Sequence, residues 1–183
     1  MSLRDAIADK HNAAEKHCFV VLLLSGNMPQ EIYAEYLLNQ AICYHALETK
    51  ADEHHLLDDL TGLHRAALIK RDAYELNCGS AVHESTKRYV EYLESVTPTQ
   101  LWAHIYVRHF ADMYGGQMIK KVAPGSCHMY EFEDRAGLIA KIRPKLANDL
   151  ADEANRVFDF ALSLFDEVAE AHAILAHHEK EPI

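Results

Sequence analysis

Apolar residues recur every three or four positions along most of this chain, and this spacing constrains the fold more than any other feature. One stretch carries Tyr33, Leu37, Ala41 and Tyr44 at such intervals, which places them on one face of an α-helix. The chain has 183 residues but only 7 glycines and 5 prolines, too few for the turns of a many-stranded protein. We therefore predict an all-α fold.

The organisation along the chain is that of one domain. A hydrophobic fraction of 49% is enough for a substantial core, and no stretch resembles a linker. We predict a single domain over 1–183, with 179–183 as a flexible charged tail. Caps and turn residues predict seven helices along the chain. They run from Ser2 past Cys18, over 29–48 from Pro29, within 60–79 ending at Gly79, over 84–94, over 97–121 capped by Thr97, over 131–145 and over 148–178.

The net charge limits the possible partners. A formal charge of −10 argues against general nucleic-acid binding, which depends on Lys and Arg neutralising phosphates. An anionic partner must therefore use a local basic patch. Lys120 with Lys121 forms one candidate, and Lys141, Arg143 and Lys145 form another. Alternatively, each cluster is a solvated helix end.

The sequence contains no segment typical of a membrane-spanning helix or of a secretory signal peptide. The longest apolar run, 19–24, is far shorter than the roughly 20 residues that span a bilayer, and no basic segment with a cleavage site begins the chain. The four cysteines are too far apart for a disulfide framework or a thiolate zinc site. We expect a soluble, cytoplasmic protein without a membrane anchor, whose cysteines are reduced and packed in the core.

The motifs of several common enzyme classes are absent from the sequence. No Glu has a His three residues after it, which excludes the paired Glu-x-x-His helices of carboxylate-bridged di-iron bundles. H-E-x-x-H, G-x-S-x-G and the glycine-rich phosphate loops are absent as well. Candidate functional residues must therefore be found from their positions on the predicted helices.

His11 is the strongest candidate metal ligand among the 13 histidines. Glu15 lies one helical turn later, where it can accept a hydrogen bond from the second imidazole nitrogen, as carboxylates do for metal-bound histidines. His17 is the nearest competitor, but six residues rotate it about 240° around the helix. The spacing fits an ordinary half-buried histidine with an ion-pair partner equally, and both interpretations remain open from spacing alone.

Two adjacent glycines, Gly115 and Gly116, interrupt the amphipathic helix predicted over 97–121. Each costs about 1 kcal/mol relative to alanine in a helix interior, unless the bare backbone has a use. They share a helix face with Arg108, Asp112 and Ile119. One use is close approach by a flat, bulky partner, with the charged pair controlling water or protons. The alternative is close helix packing at the glycines beside a surface Arg–Asp pair.

These two candidate regions resemble parts of one protein family. The stretch HIYVRHFADMYGGQMIKK, 104–121, resembles the distal-helix signature of the heme oxygenases, in which an Arg, a Gly-Asp pair and Ser-Gly-Gly-Gln precede an apolar pair and two lysines. The stretch LRDAIADKHNAAEKHCF, 3–19, resembles their proximal helix, where a His is followed by Ala-Glu and then Phe. The resemblance runs from Leu3 to about Glu167. It implies a single-domain helical bundle that holds heme between a proximal and a distal helix.

The resemblance implies a role for each matching residue. His11 is the implied axial ligand of the heme iron, with Glu15 as its partner. Gly115 and Gly116 would let the distal helix approach heme and oxygen, and Asp112 would hold the water that delivers protons. The other implied site residues are Arg108 and Tyr44 in the distal hydrogen-bonded network, Arg4 and Tyr106 at the propionates, the further propionate candidates Lys141, Arg143 and Lys145, and Phe158 in the last helix.

Four positions depart from the family pattern. Ala111 replaces the usual glycine before the aspartate, and Tyr114 replaces the small residue before the glycine pair. His109 replaces an aromatic residue, and Ala161 stands where animal members have an amide side chain. These differences concern the distal water chain, the substrate affinity and the rate, and they leave the implied chemistry in place.

The activity implied by the resemblance is that of a heme oxygenase, with heme b as both substrate and cofactor. O2 and external electrons would open the ring at the α-meso carbon and give biliverdin IXα, CO and Fe2+. The sequence shows no nucleotide or flavin motif, so the electrons must come from a partner, for which the resemblance implies reduced ferredoxin. A bilin reductase is the implied consumer of the product, and no nucleic acid or membrane partner is expected.

Two other functions are compatible with parts of this pattern. A heme-binding protein for storage or sensing would need His11 and the glycines but not Asp112. A thiaminase-type hydrolase of the same fold would need a nucleophilic cysteine close to carboxylates. None of the four cysteines has that context in the sequence.

Overall fold

The computed structural model describes residues 2–174, which form ten α-helices and no β-strand. Short 3-10 turns at 128–130, 143–145 and 148–150 join them. The all-α prediction is confirmed, whereas the single domain over 1–183 stays a prediction and the tail 179–183 lies outside the described residues. The helices are α1 (Leu3–Ala6), α2 (Ala8–Lys16), α3 (Cys18–Leu24), α4 (Gln30–Glu53), α5 (Ala66–Glu75), α6 (Glu84–Leu93), α7 (Pro98–Tyr114), α8 (Gly116–Ile119), α9 (Arg135–Ile142) and α10 (Ala151–Ala171).

Three long helices, α4, α7 and α10, organise the bundle. Helix α4 packs on α5 and α6, while α7 packs on α10 and α4. Apolar side chains fill three clusters: one joins α1, α7 and α10, a second joins α3, α4, α5 and α10, and a third joins α4, α6 and the start of α7. Helix α10 therefore supports both α7 and the N-terminal helices α2 and α3. Within residues 2–174, no helix is both long enough and apolar enough to span a bilayer.

The predicted first helix is three short helices. Its start is as predicted, because Ser2 Oγ accepts the Asp5 backbone N–H at 3.2 Å and the Asp5 carboxylate accepts the Ser2 backbone N–H at 3.1 Å. A single continuous helix is nevertheless wrong, because the backbone is extended at His17, where ψ is 138°. The His17 ring Nδ1 accepts the Phe19 backbone N–H at 3.2 Å and so begins α3. His17 is thus a helix cap.

The predicted helix over 97–121 is interrupted at the glycines. Thr97 caps α7 as predicted, but α7 ends at Tyr114 and Gly115 separates it from α8. The backbone of Gly116 approaches the ring of Tyr130 so closely that a Cβ atom would overlap the ring. For Gly116, the alternative interpretation therefore holds: its missing side chain allows close packing against Tyr130.

Other helix boundaries agree with the sequence to different degrees. Helix α6 is as predicted, and α4 begins directly after Pro29 but runs beyond the predicted end at 48. The predicted helix end at Gly79 is wrong, because Asn77 adopts a left-handed conformation with φ of 56° that terminates α5 earlier.

The last two predicted helices are also too long. Asp134 starts α9, since its Oδ1 accepts the Gly137 backbone N–H at 2.9 Å, and the preceding residues from 131 are not in the α-helix. Pro144 lacks a backbone N–H, and the chain around it forms a 3-10 turn. Helix α10 ends at Ala171, before the predicted end at 178, which lies outside the described residues.

Candidate functional site

The polar centre of the molecule is the pair formed by Tyr44 on α4 and Asp112 on α7. Both side chains are buried, and Tyr44 Oη donates a hydrogen bond to Asp112 Oδ2 at 2.6 Å. Burial raises the pKa of Tyr44 well above its ordinary value, so the phenol keeps its proton. Burial also raises the pKa of Asp112 to about 7, against the opposing effects of the Tyr44 hydrogen bond and the charges of Arg65 and Arg108. Asp112 can therefore take up or release a proton near neutral pH.

Arg108 lies beside this pair without a direct hydrogen bond to Asp112. Its Nε donates to Tyr89 Oη at 3.0 Å, and its Nη1 donates to Gln40 Oε1 at 3.0 Å. Its guanidinium carbon is 5.6 Å from the centre of the Tyr44 ring. The structure thus brings together the three predicted network residues. The alternative of a surface Arg–Asp pair is wrong, because both side chains are buried.

A chain of buried hydrogen bonds, absent from the sequence predictions, continues from Arg108 across the bundle. Because Arg108 donates to Tyr89, the Tyr89 hydroxyl is free to donate to His104 Nδ1 at 2.9 Å. The other His104 nitrogen, Nε2, then donates to Glu153 Oε1 at 2.9 Å. Burial lowers the pKa of His104, which agrees with a neutral ring. The sequence contains one indication of this hydrogen-bonded chain: His104 lies one helical turn before Arg108 in a mainly apolar stretch.

His11 lies on α2, a helix that buries no side chain. The His11 side chain is 53% exposed, and its ring packs edge-on against Phe158 of α10 with the centroids 6.0 Å apart. Its Nδ1 lies 3.7 Å from Glu15 Oε1, and its Nε2 has no hydrogen-bond partner within residues 2–174. The predicted residues His11, Glu15 and Phe158 are therefore neighbours, and the imidazole is accessible to a ligand.

The two glycines have different surroundings. Gly115 is exposed at the end of α7, and a Cβ atom there would meet only the Ala111 carbonyl oxygen, at 3.3 Å. Ala111 and Tyr114 are exposed on the same stretch. By contrast, the bare face of Gly116 is covered by Tyr130. Backbone that a flat ligand could approach is thus available at Gly115, and Gly116 serves the packing of α8.

Tyr106 marks a basic edge next to this stretch. The rings of Tyr106, Phe110 and Tyr114 pack edge to face, with successive centroids 5.1 and 5.9 Å apart. Burial raises the pKa of Tyr106, while the charges of Arg4 and Arg143 lower it. Arg143 Nη2 also donates to Tyr114 Oη at 3.0 Å. Arg143 therefore contacts this aromatic edge directly, and the role of Arg4, Tyr106 and Arg143 at the propionates stays a prediction.

The remaining two basic candidates have separate contacts. Lys145 Nζ lies 5.1 Å from the ring centre of Trp102, one turn before Tyr106 on α7. Lys141 Nζ instead donates to the backbone carbonyl of Asp59 at 2.7 Å. The three residues predicted as one cluster are thus divided, with Arg143 and Lys145 beside α7 and Lys141 held elsewhere.

These features fit an iron porphyrin. His11 offers an imidazole nitrogen without another described partner, and Gly115 offers a surface without a side chain. Arg4 and Arg143 supply positive charge suited to carboxylate groups at the ligand edge. Asp112 supplies a carboxyl group that titrates near neutral pH.

Comparison with known proteins identifies the family. The family model described as Heme oxygenase matches residues 1–167. The chain belongs to the heme oxygenase family. It is therefore an enzyme that binds and degrades heme. Heme oxygenase 2 of Mus musculus is 27% identical to this chain, and the match covers 98% of this chain and 68% of that protein. Heme oxygenase 1 of Synechocystis sp. is 27% identical to this chain, and the match covers 91% of this chain and 82% of that protein.

Solved heme oxygenase structures share the fold. Heme oxygenase-1 from the cyanobacterium Synechocystis sp., in complex with heme, has a TM-score of 0.79 at 22% identity and covers 94% of each chain. The heme oxygenase of Leptospira interrogans has a TM-score of 0.80 at 24% identity and covers 91% of this chain and 100% of that chain. The helical bundle predicted from the resemblance is thus confirmed as the heme oxygenase fold.

Proposed function

We propose that this heme oxygenase opens heme b at the α-meso carbon and releases biliverdin IXα, CO and Fe2+. Bound heme supplies the iron that activates O2 and the ring that is oxidised. The observation that carries the proposal is the buried Tyr44–Asp112 pair, because its carboxyl group has a pKa of about 7. Proton delivery in a site of low polarity needs such a group.

On the proximal side, His11 would hold the iron through Nε2, and Glu15, whose Oε1 lies 3.7 Å from Nδ1, would accept a hydrogen bond from that second ring nitrogen. An acceptor at that position fixes the ring orientation and increases the basicity of the ligand. A neutral imidazole donates less electron density than the thiolate that promotes O–O cleavage in other heme enzymes. We assign proton delivery to the distal residues, where Asp112 titrates near neutral pH.

On the distal side, Asp112 presents one free oxygen. Its Oδ2 is held by Tyr44, and its Oδ1 makes no hydrogen bond with any described residue. Oδ1 is thus the atom that orders water and transfers a proton to it. Gly115, one turn further along the chain, leaves room for the substrate because it has no side chain.

The basic edge near Tyr106 supports two further parts of the proposal. Arg4 and Arg143, together with Lys145, would hold the heme propionates and so set the orientation of the bound ring. Reduced ferredoxin is the electron donor in this proposal, and it would dock on this locally basic edge of an otherwise acidic chain.

The experiment follows hemin bound to the full chain. A Soret band on mixing shows binding, and biliverdin absorbance after addition of O2 and reductant shows cleavage. Absence of the Soret band would contradict the proposal, and a Soret band without pigment would favour the function of heme storage or sensing. Turnover with a flavoprotein reductase but not with reduced ferredoxin would overturn the donor assignment alone.

A further inference from the structure

Three side chains that can bind a metal ion meet between α5 and the 3-10 turn at 128–130, and none of them is assigned to heme. Asp72 and Glu75 lie three residues apart on one face of α5, and His128 begins the turn. One ligand atom from each side chain lies within 4.8 Å of the other two. The Nδ1 atom of His128 is 2.7 Å from Asp72 Oδ1 and 4.0 Å from Glu75 Oε2. An imidazole and two carboxylates therefore converge on one point.

This group carries negative charge that no lysine or arginine balances. Among residues 2–174, His128 alone lies within ion-pair distance of either carboxylate. The Asp72 side chain is only 3% exposed, and burial of a carboxylate is unfavourable unless its charge is paired. Two carboxylates beside a neutral imidazole thus form a site whose charge a divalent cation would neutralise.

The donor atoms and their separations are those of a zinc site. Zinc binds imidazole nitrogen and carboxylate oxygen, and three protein ligands with a water in the fourth position form its open tetrahedral sites. Two ligand atoms of a tetrahedral zinc with bonds of about 2.0–2.1 Å lie about 3.3 Å apart. The observed separations of 2.7 and 4.0 Å lie on either side of this value. By contrast, calcium takes six to eight oxygen ligands.

Hydrogen bonds from outside the group hold both carboxylates in place. Asp72 Oδ2 accepts the Met129 backbone N–H at 2.9 Å, and Asp72 Oδ1 accepts the His128 backbone N–H at 3.0 Å. Glu75 Oε1 accepts the backbone N–H and the hydroxyl of Ser126, at 3.1 and 2.8 Å. Metal-binding carboxylates usually have such partners. Lone pairs of Asp72 Oδ1 and of Glu75 Oε2 remain for a metal ion.

We propose that Asp72, Glu75 and His128 bind one zinc ion, with water as the fourth ligand. The imidazole binds through Nδ1 and carries its proton on Nε2. The zinc ion fastens the turn at 128–130 to α5. Tyr130 belongs to that turn and covers Gly116 of α8, so the site is structural and supports the helix that follows the glycine pair.

The first test is an NMR titration of the full, heme-free chain with Zn2+. Nitrogen-15 spectra of the imidazole rings, in which His128→Gln identifies the His128 signals, show which histidine binds the metal. One equivalent of Zn2+ should shift the Nδ1 signal of His128 and raise the thermal unfolding midpoint, whereas Mg2+ should do neither. Unshifted His128 signals would overturn the proposal. Heme takes no part, so failure here leaves the proposed reaction untouched.

A second test compares the zinc affinities of two variants by calorimetry. Glu75→Gln keeps the shape of the side chain and an amide oxygen for Ser126, but it removes the charge. Loss of even an outer partner of a metal ligand costs 10–100-fold in affinity, so Glu75→Gln should bind zinc at least about 10-fold more weakly. His64→Gln is the matched control, because His64 pairs with Asp52 at 3.0 Å outside this group. Equal affinities of Glu75→Gln and the wild type would contradict the proposal.

Discussion

The hydroxyl of Tyr44 donates to Asp112 Oδ2 across 2.6 Å, and this bond joins α4 to α7 at the centre of the site. It favours the ionised carboxylate, whereas burial favours the protonated form and has the larger effect. The balance leaves the pKa of Asp112 at about 7. Two helices that are distant in sequence thus jointly determine when this group carries a proton.

Replacement of Tyr44 by phenylalanine should raise the pKa of Asp112. A hydrogen bond to a charged group contributes about 1.5–3 kcal/mol, so its loss should raise the pKa by about one unit or more. A carbon-detected NMR titration of the heme-free Tyr44→Phe variant measures the shift. Tyr33→Phe is the control, since Tyr33 is buried but lies next to Tyr130 Oη, at 3.5 Å. An unchanged or lower pKa in Tyr44→Phe would refute this account of the pair.

Asp112 should also make stability depend on pH. Its folded pKa, about 7, lies above its ordinary value of 3.8, so the folded chain keeps a proton that the unfolded chain has lost. The resulting stabilisation is complete below about pH 4 and is lost as the pH rises through about 7. Above that pH the buried carboxylate destabilises the fold by at most about 4 kcal/mol.

The Asp112→Asn variant removes this titration. Its free energy of unfolding should exceed that of the wild type at pH 8 and approach it at pH 4. Denaturant unfolding of both proteins at several pH values gives the difference, in which the other titrating groups cancel. A difference that stays constant over this range would show that Asp112 ionises in the folded chain as it does in the unfolded one.

Helical spacing explains what could be predicted about the site. Residues three or four apart share a helix face, so the positions of Arg108 and Asp112 on one face of α7 followed from the sequence, and the family resemblance added Tyr44 on α4. The bond from Tyr89 to His104 and on to Glu153 could not be predicted, because it joins α6, α7 and α10 and depends on their packing.

Tertiary contacts also explain why two adjacent glycines have different surroundings. Gly115 and Gly116 are neighbours with the same local sequence pattern, yet Tyr130 from a distant 3-10 turn covers only Gly116. In the same way, the break at His17 depends on a side chain that accepts a backbone N–H, which periodicity does not indicate.

The two glycines should therefore respond differently to alanine. Gly116→Ala should destabilise the fold by about 1–3 kcal/mol, because the new methyl group overlaps Tyr130. Gly115→Ala should change stability by less than about 1 kcal/mol but weaken hemin binding, because the methyl group enters the exposed face. Thermal unfolding and hemin titration separate the two effects. Equal losses of stability would contradict the assignment.

Removal of the His11 imidazole should alter heme coordination without unfolding the chain. The side chain is more than half exposed, so His11→Ala should lower the stability of the heme-free protein by less than about 0.5 kcal/mol. Its hemin complex should lose the histidine-ligated spectrum and regain it with added imidazole.

His17→Ala is the matched control for that experiment. His17 caps α3 and its Nε2 lies 2.9 Å from Asp166 Oδ1, so the variant should lose stability while keeping a normal heme spectrum. If His17→Ala lost the histidine-ligated spectrum and His11→Ala retained it, the ligand assignment would be wrong.

The most direct measurement of the central claim is the product formed from bound heme by the wild type and by Asp112→Asn under O2 with reduced ferredoxin. Chromatography should show that the wild type converts heme to biliverdin IXα with release of one CO. General acid catalysis contributes about 100-fold or more, so Asp112→Asn should bind heme normally and form biliverdin at least about 100-fold more slowly. Equal rates in the two proteins, or intact heme recovered from the wild type, would contradict the account.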